Sequence, residues 1–216
     1  MRNNWEQHDG ILLQEIPFLE ASRILKIFTR DAGLLTLMAR RKINAIPFSR
    51  AEWVVKKSRG EFYSLRETSL INPYLELRTN YETLVGAGSI ARDLLRSQAS
   101  SKASPGLYEL LIACFSHLQK NPNTLAQSFR LKLLHYEGVL RLEPTCVHCK
   151  EPSLFLSGGE SVCTQHRSVR DSFFTDEEWQ VLLTLSSARR FSEIEQFHLS
   201  TEFSNKIEQL FSQRIC

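Results

Sequence analysis

The sequence predicts an α+β protein with a small N-terminal β-barrel, a helical C-terminal part and a metal-binding knuckle embedded among the helices. Two observations support this architecture. The hydrophobic pattern has a period of two in the first part of the chain and about 3.6 after Pro73. Two short Cys/His pairs, 146–149 and 163–166, lie between predicted helices. We expect domains at 1–78 and 79–216, with the knuckle insertion at about 144–168.

Five short apolar or alternating runs predict the strands, at 11–13, 23–29, 34–40, 52–57 and 61–65. Asp31 and Gly33 supply turn chemistry after the second run, and Gly60 does so after the fourth. Trp53 and Val55 fall on one face of the fourth run and Glu52, Val54 and Lys56 on the other, as expected of a half-buried strand. Because five short strands bury little core in an open sheet, the pattern favours a closed barrel of OB type, with an SH3-like barrel as the alternative.

Helical periodicity is clearest at 107–118, where Ser104 is placed as the N-cap and Pro105 as the first helical residue. Further helices are predicted at 81–97 and at 124–137, the latter ended by Gly138. Thr175 and Glu178 form a capping box for a fourth helix, and a fifth begins near residue 201. Their apolar stripes indicate a bundle core.

Four residues have the spacing of zinc ligands: Cys146, Cys149, Cys163 and His166. The intervening segment contains Gly158-Gly159, a turn that would bring the two halves together. Four protein ligands fill a tetrahedral shell, so we expect one structural Zn²⁺. His148 is an alternative fourth ligand, although its place inside the first knuckle makes the geometry poor.

Enzymatic alternatives have weaker support. His135 and Glu137 followed by Cys146 and Cys149 superficially resemble the signature of zinc deaminases, but the segment between them is too short for the usual strand and helix. The sequence contains no Gly-rich phosphate loop, no nucleophile elbow and no H-E-x-x-H motif. We therefore expect no catalytic residues.

Positive charge is concentrated in the predicted barrel. The whole chain has a formal net charge of +3, whereas residues 23–59 contain ten basic and two acidic side chains. Such a patch attracts polyanions, and interleaved aromatic side chains are typical of barrels that hold single strands. The candidate DNA-binding residues are Arg23, Lys26, Arg30, Arg40, Arg41, Lys42, Lys56, Lys57 and Arg59.

Composition argues against several other classes. Hydrophobic residues make up 42% of the chain and charged residues 24%, which is ordinary for a globular protein. No apolar run approaches the length of about 20 residues that a membrane helix needs. With five cysteines and no apolar N-terminal segment, we expect no export and a reducing compartment.

Three segments resemble the RecO family of bacterial recombination mediators: Gly10-Ile-Leu-Leu, the run 22–35 (SRILKIFTRDAGLL) and Cys146-Val-His-Cys149. The order of barrel, helices and knuckle is also similar. The resemblance implies a cytoplasmic, nucleoid-associated protein that is not an enzyme. It would bind single- and double-stranded DNA, anneal complementary strands and, together with RecR, help to load RecA.

The resemblance also implies binding of the acidic, apolar C-terminal tail of single-strand-binding protein. For this ligand the helical part offers Arg130 and Lys132, which lie within one turn of each other. The chain departs from the family in a compact basic loop at 40–44, in its short length and in having three cysteines and one histidine at the knuckle. The alternative function is a zinc-stapled protein–protein adaptor without DNA affinity.

Overall fold

Five strands close into a barrel at the N-terminus. The computed structural model describes residues 5–40, 42–58 and 60–215. Around the barrel the strands follow the order β1-β2-β3-β5-β4, so the predicted five-stranded closed barrel is confirmed. The strands are β1 (Glu6–Phe18), β2 (Ser22–Thr29), β3 (Gly33–Arg40), β4 (Arg50–Lys57) and β5 (Phe62–Asn72).

Alternate residues of the strands fill the barrel. Leu25 and Ile27 of β2, Leu37 of β3 and Trp53 of β4 are fully buried in this core. The barrel closes where β3 and β5 run parallel over only three residue pairs, from Thr36↔Phe62 to Met38↔Ser64. The remaining pairings are antiparallel.

Two helices belong to the same compact unit as the barrel, a unit that ends at Gln119. They are α1 (Tyr81–Ser97) and α2 (Pro105–His117), and a 3₁₀ turn, Leu75–Arg78, precedes them. The ring of Tyr108 lies 6.2 Å from that of Phe28, so α2 covers the outer side of β2. Ser104 is the N-cap as predicted, but its side chain makes no capping hydrogen bond.

A second unit begins at Lys120. It contains α3 (Pro122–Tyr136), the small strands β6 (Phe155–Ser157), β7 (Glu160–Val162) and β8 (Ser172–Phe173), and the helices α4 (Asp176–Ser187) and α5 (Thr201–Arg214). Helix α3 packs against α4 and α5. The capping box of Thr175 and Glu178 is present, whereas α3 begins earlier than predicted, with Asn121 as its cap. Across the described residues, no helix has the length and apolarity needed to cross a membrane.

Gly33 lies where the segment after α1 meets the barrel. Its φ is +69°, in the left-handed region that favours glycine. A Cβ at this position would overlap the backbone carbonyl of Lys102. Next to it, Leu34 forms a parallel bridge with Ser100, and the backbone amide of Ser101 donates to the carbonyl of Leu34 at 2.9 Å. The chain after α1 therefore seals the edge of β3.

We expect Gly33→Ala to lower the free energy of unfolding by at least about 2 kcal/mol, because left-handed backbone strain and steric overlap add together. The control is Gly88→Ala in α1, where a Cβ would meet no atom within 4 Å. That change should raise stability by about 1 kcal/mol, since alanine is the better helix former. Urea unfolding of both variants measures the two effects. A small loss of stability in Gly33→Ala would contradict the close contact described between Gly33 and the backbone of Lys102.

A partly buried polar cluster joins α2 to the barrel. The Arg50 Nε donates to Asp9 Oδ1 at 2.9 Å, and the Tyr108 hydroxyl donates to the same oxygen at 2.7 Å. Burial raises the pKa of the Asp9 carboxyl, but the hydrogen bonds from Arg50 and Tyr108 outweigh it and hold the pKa below the ordinary value of 3.8. The ionised form of Asp9 is therefore stabilised by folding.

Asp9→Asn should lower stability at neutral pH by about 1.5–3 kcal/mol, the range for hydrogen bonds to charged groups. Since the folded pKa of Asp9 lies below its unfolded value, the stabilisation is present above the unfolded pKa and is lost as pH falls through the folded one. The difference in free energy of unfolding between wild type and variant should therefore become smaller below about pH 4. Urea unfolding at several pH values tests this. A stability difference that does not change with pH would contradict the role given to ionised Asp9.

Candidate metal centre and nucleic-acid face

The four predicted metal ligands come together in the second unit. Cys146 and Cys149 lie in a turn whose ends are bridged by Thr145 and Pro152. Cys163 and His166 follow β7, which pairs with β6 across the Gly158-Gly159 turn. The four ligand atoms all lie within 4.8 Å of one another, so the group could hold a metal ion.

Individual distances define the shape of the cluster. The Sγ atoms of Cys149 and Cys163 are 3.5 Å apart. The Nδ1 atom of His166 lies 3.3 Å from Cys163 Sγ and 3.6 Å from Cys146 Sγ. His148 lies outside this group of four, with its ring 5.0 Å from that of His166. The structure thus brings together the predicted set that includes His166.

The surroundings favour thiolates at two of these positions. Burial would raise the pKa of the Cys146 thiol, but backbone hydrogen bonds from His148 and Cys149 outweigh it and lower the pKa to about 6. At Cys163 burial also raises the pKa, and the hydrogen bond with His166 more than compensates. Thiolate is the form that binds metals. The two cysteines also pack with Phe155 and Val162 in a small core.

Several of the predicted DNA-binding residues lie on one outer surface of the barrel. We define the outer face as the surface of β1–β5 formed by Ile16, Ile24, Lys26, Met38, Arg40 and Lys56. In β2, β3 and β4 these residues alternate with the buried residues of the same strand. Ile16, Ile24 and Met38 are cross-strand neighbours and make an apolar row. Arg40 and Lys56 are exposed and Lys26 is half-buried.

Two further candidates remain available to a ligand, and two others have internal partners. Lys42 and Lys57 are exposed, and the Lys57 ammonium lies 5.9 Å from the centre of the Tyr63 ring. Arg23 is only 9% exposed and pairs with Glu15 at 2.7 Å. Arg30 pairs with Glu109 at 3.2 Å. Arg41 and Arg59 lie outside the described residues.

Arg130 and Lys132 have structural partners within the second unit. Arg130 is 2% exposed; it donates to Gln127 Oε1 at 2.9 Å and lies over the ring of Phe211 in α5. The Lys132 ammonium donates to the carbonyl of Ala188, the residue that caps α4, at 2.6 Å. The two side chains connect α3 to α5 and to the end of α4.

Sequence reasoning missed the apolar row of the outer face. The signal was present in β2, where Ile24 alternates with the core residues Leu25 and Ile27, so that both sides of the strand carry apolar side chains. It also missed the exposed Arg66, whose guanidinium lies 5.7 Å from the centre of the Trp5 ring. No local motif marks the contact between Arg66 and Trp5.

Comparison with known proteins identifies the family. Family models described as "Recombination protein O N terminal" and "Recombination protein O C terminal" match residues 1–74 and 78–213. The chain belongs to the RecO family. This membership assigns it to DNA repair and recombination. It also fits the closed barrel, which is the OB fold of the N-terminal part of RecO.

Curated relatives support the same assignment along the chain. A protein named DNA repair protein RecO from Chlamydia trachomatis serovar D is 27% identical, over 94% of this chain and 89% of the relative. Proteins of the same name from Caldicellulosiruptor saccharolyticus and Exiguobacterium sibiricum are 22% and 25% identical. These matches cover 95% and 85% of this chain, and 90% and 76% of the two relatives.

Proposed function

We propose that this RecO-family chain is a recombination mediator that binds single- and double-stranded DNA, anneals complementary strands and helps to load recombinase onto single strands. One observation carries the proposal. Basic side chains border an apolar row on the outer face of a closed five-stranded barrel. In OB folds the face of the second and third strands, together with the adjacent loops, binds oligonucleotides.

The charges of the outer face are free to meet phosphates. Within the described part of the chain, Lys26, Arg40 and Lys56 form no ion pair with a carboxylate. Lysines and arginines that neutralise phosphates release counterions, which makes the affinity strongly dependent on salt. The apolar row provides a surface for the faces of unpaired bases, and Phe62, 38% exposed, adds an aromatic ring beside it.

The double variant Arg40→Ala/Lys56→Ala should weaken DNA binding on any sequence. It should also flatten the plot of log affinity against log salt by about 1.4 on single strands, at about 0.7 for each phosphate that is no longer neutralised. The matched control is Arg189→Ala/Arg190→Ala, which removes two exposed charges from the second unit. Fluorescence anisotropy at several salt concentrations measures both variants.

Equal weakening in the two double variants would mean that only net charge matters and would contradict a site on the outer face. If the wild-type protein binds no DNA even at low salt, the proposed function is wrong. The adaptor alternative, in which the apolar row contacts a protein, would then be preferred.

We propose that the metal is one structural Zn²⁺. A tetrahedral zinc places two thiolate sulfurs about 3.8 Å apart, and a sulfur and an imidazole nitrogen about 3.6 Å apart. The distances of 3.3–3.6 Å in the cluster are close to both values. Three thiolates and one imidazole complete the coordination shell, so the ion would tie the two knuckles together without an open position for substrate.

Cys163→Ser should abolish binding of about one zinc per chain and destabilise the second unit, because structural zinc binding is coupled to folding. Cys114→Ala is the control, since Cys114 is a buried cysteine of the first unit. Metal analysis and thermal unfolding with and without chelator provide the readouts. A folded wild-type protein that contains no zinc and is insensitive to chelator would refute the assignment.

Family membership supports further proposals about partners. We expect RecR and the C-terminal tail of single-strand-binding protein as direct partners, and RecA as an indirect one, in the bacterial cytoplasm on nucleoid DNA. Arg130 and Lys132 stay the predicted tail-binding residues, and since Arg130 is 2% exposed and Lys132 donates to the carbonyl of Ala188, tail binding there would require these internal contacts to open. We retain 1–78 as the DNA-binding domain and 79–216 as the helical domain, a division close to the boundary between the two family models.

A further inference from the structure

The β1–β2 hairpin extends past the part of β1 that pairs with β4. Pairing between β1 and β4 ends at Ile11↔Arg50, and the last hydrogen bonds of β1 on that side are made by the backbone of Leu12. Pairing with β2 continues to Phe18↔Ser22. The end of β1 thus pairs with β2 alone and forms a free sheet edge, while β2 stays paired with β3 up to Ser22↔Arg40.

The tip of this hairpin combines apolar exposure with an unusual backbone. Leu19 has φ +55° and is 76% exposed, and its neighbour Phe18 is 38% exposed. Left-handed backbone is disfavoured for a residue with a Cβ, and glycine or asparagine would fit this turn with less strain. Packing within the chain does not account for a leucine here, since most of its surface faces solvent. A ligand would account for it.

The register places the tip at the end of the outer face. Phe18 is opposite Ser22, which is opposite the exposed Arg40. One step along the hairpin, Ile16 begins the apolar row. A negative charge, Glu20, is also at the tip, and it already has an interaction within the protein. The tip therefore offers apolar side chains beside a cation, a combination that suits a base stack and its phosphates.

We propose that Phe18 and Leu19 form an apolar wedge that inserts into the base stack of DNA bound on the outer face. Apolar side chains of this kind insert between bases in other DNA-binding proteins and unstack them. The loop between the first two strands is also one that OB folds use to bind their ligands. The inference rests on the proposed DNA binding and adds a specific action to it, local unstacking that would expose base edges for pairing.

The test uses a single-stranded oligonucleotide with one 2-aminopurine flanked by adenines, because stacking quenches the fluorescence of this base. Binding of the full wild-type chain should raise the fluorescence. Phe18→Thr/Leu19→Asn keeps a strand-compatible residue and a turn-compatible one, and should remove the rise. We expect the affinity to fall on the order of ten-fold, as when one base can no longer stack on a side chain, with an unchanged salt slope.

Three control variants distinguish the effect of the apolar wedge from the effects of lost positive charge and of misfolding. Leu75→Asn removes an exposed leucine, 63% exposed, from the 3₁₀ turn of the same unit and should leave the rise intact. Arg40→Ala/Lys56→Ala should change the salt slope and keep the rise at saturating protein. Leu19→Gly suits the backbone of the turn, so it should fold at least as well as wild type while weakening the rise.

The outcomes discriminate between the two proposals. A fluorescence rise that persists in the wedge variant, as expected if the tip contacts a protein instead, overturns the wedge. Binding of wild type without any rise also overturns it and leaves DNA binding intact. Absence of DNA binding by wild type overturns the proposed function itself.

Discussion

Closure of the barrel through three parallel residue pairs between β3 and β5 is the constraint on which the rest of the first unit depends. The register Leu37↔Tyr63 places both side chains in the core. A slip of β5 by one residue would turn Tyr63 outward and bring Ser64 inward, since side chains alternate along a strand. So short a pairing needs support at its end, and the chain at Ser100 and Ser101 supplies it beside Gly33.

Sequence reasoning succeeded where the signal is local. Helix α1 has the predicted bounds, and closure of the barrel follows from five strands that must bury a core in few residues. It failed on the length of β1, predicted at 11–13 and observed at Glu6–Phe18. The register of β1 shifts between Leu12 and Gln14, and Ile11 and Leu13 are buried although they lie outside the barrel core, so the strand shows no simple alternation.

The two candidate sites also differ in how far the sequence predicts them, because one depends on local spacing and the other on the fold. The cluster of candidate metal ligands could be predicted because each knuckle brings its own pair together and one short hairpin joins the knuckles. The basic residues could not all be assigned, because strand parity decides which face each one occupies. Arg23 has the parity of Leu25 and Ile27, so its burial was available from the sequence. Arg130 is buried because α3 is surrounded on nearly all sides, which no single stripe indicates.

The charge of the barrel segment 23–59 differs in sign from that of the C-terminal segment 146–216, so the two segments interact differently with a polyanion. Residues 23–59 carry an excess of basic side chains, whereas residues 146–216 contain seven basic and ten acidic ones. A phosphate backbone is therefore drawn to the barrel and repelled by the region after the first knuckle. In that region charged groups stabilise the fold locally, as Lys206 does with Glu178 at 2.8 Å. In the proposed function, nonspecific attraction would concentrate DNA at the surface where the barrel presents apolar side chains, and those side chains would act only on bases that the charges have already brought close.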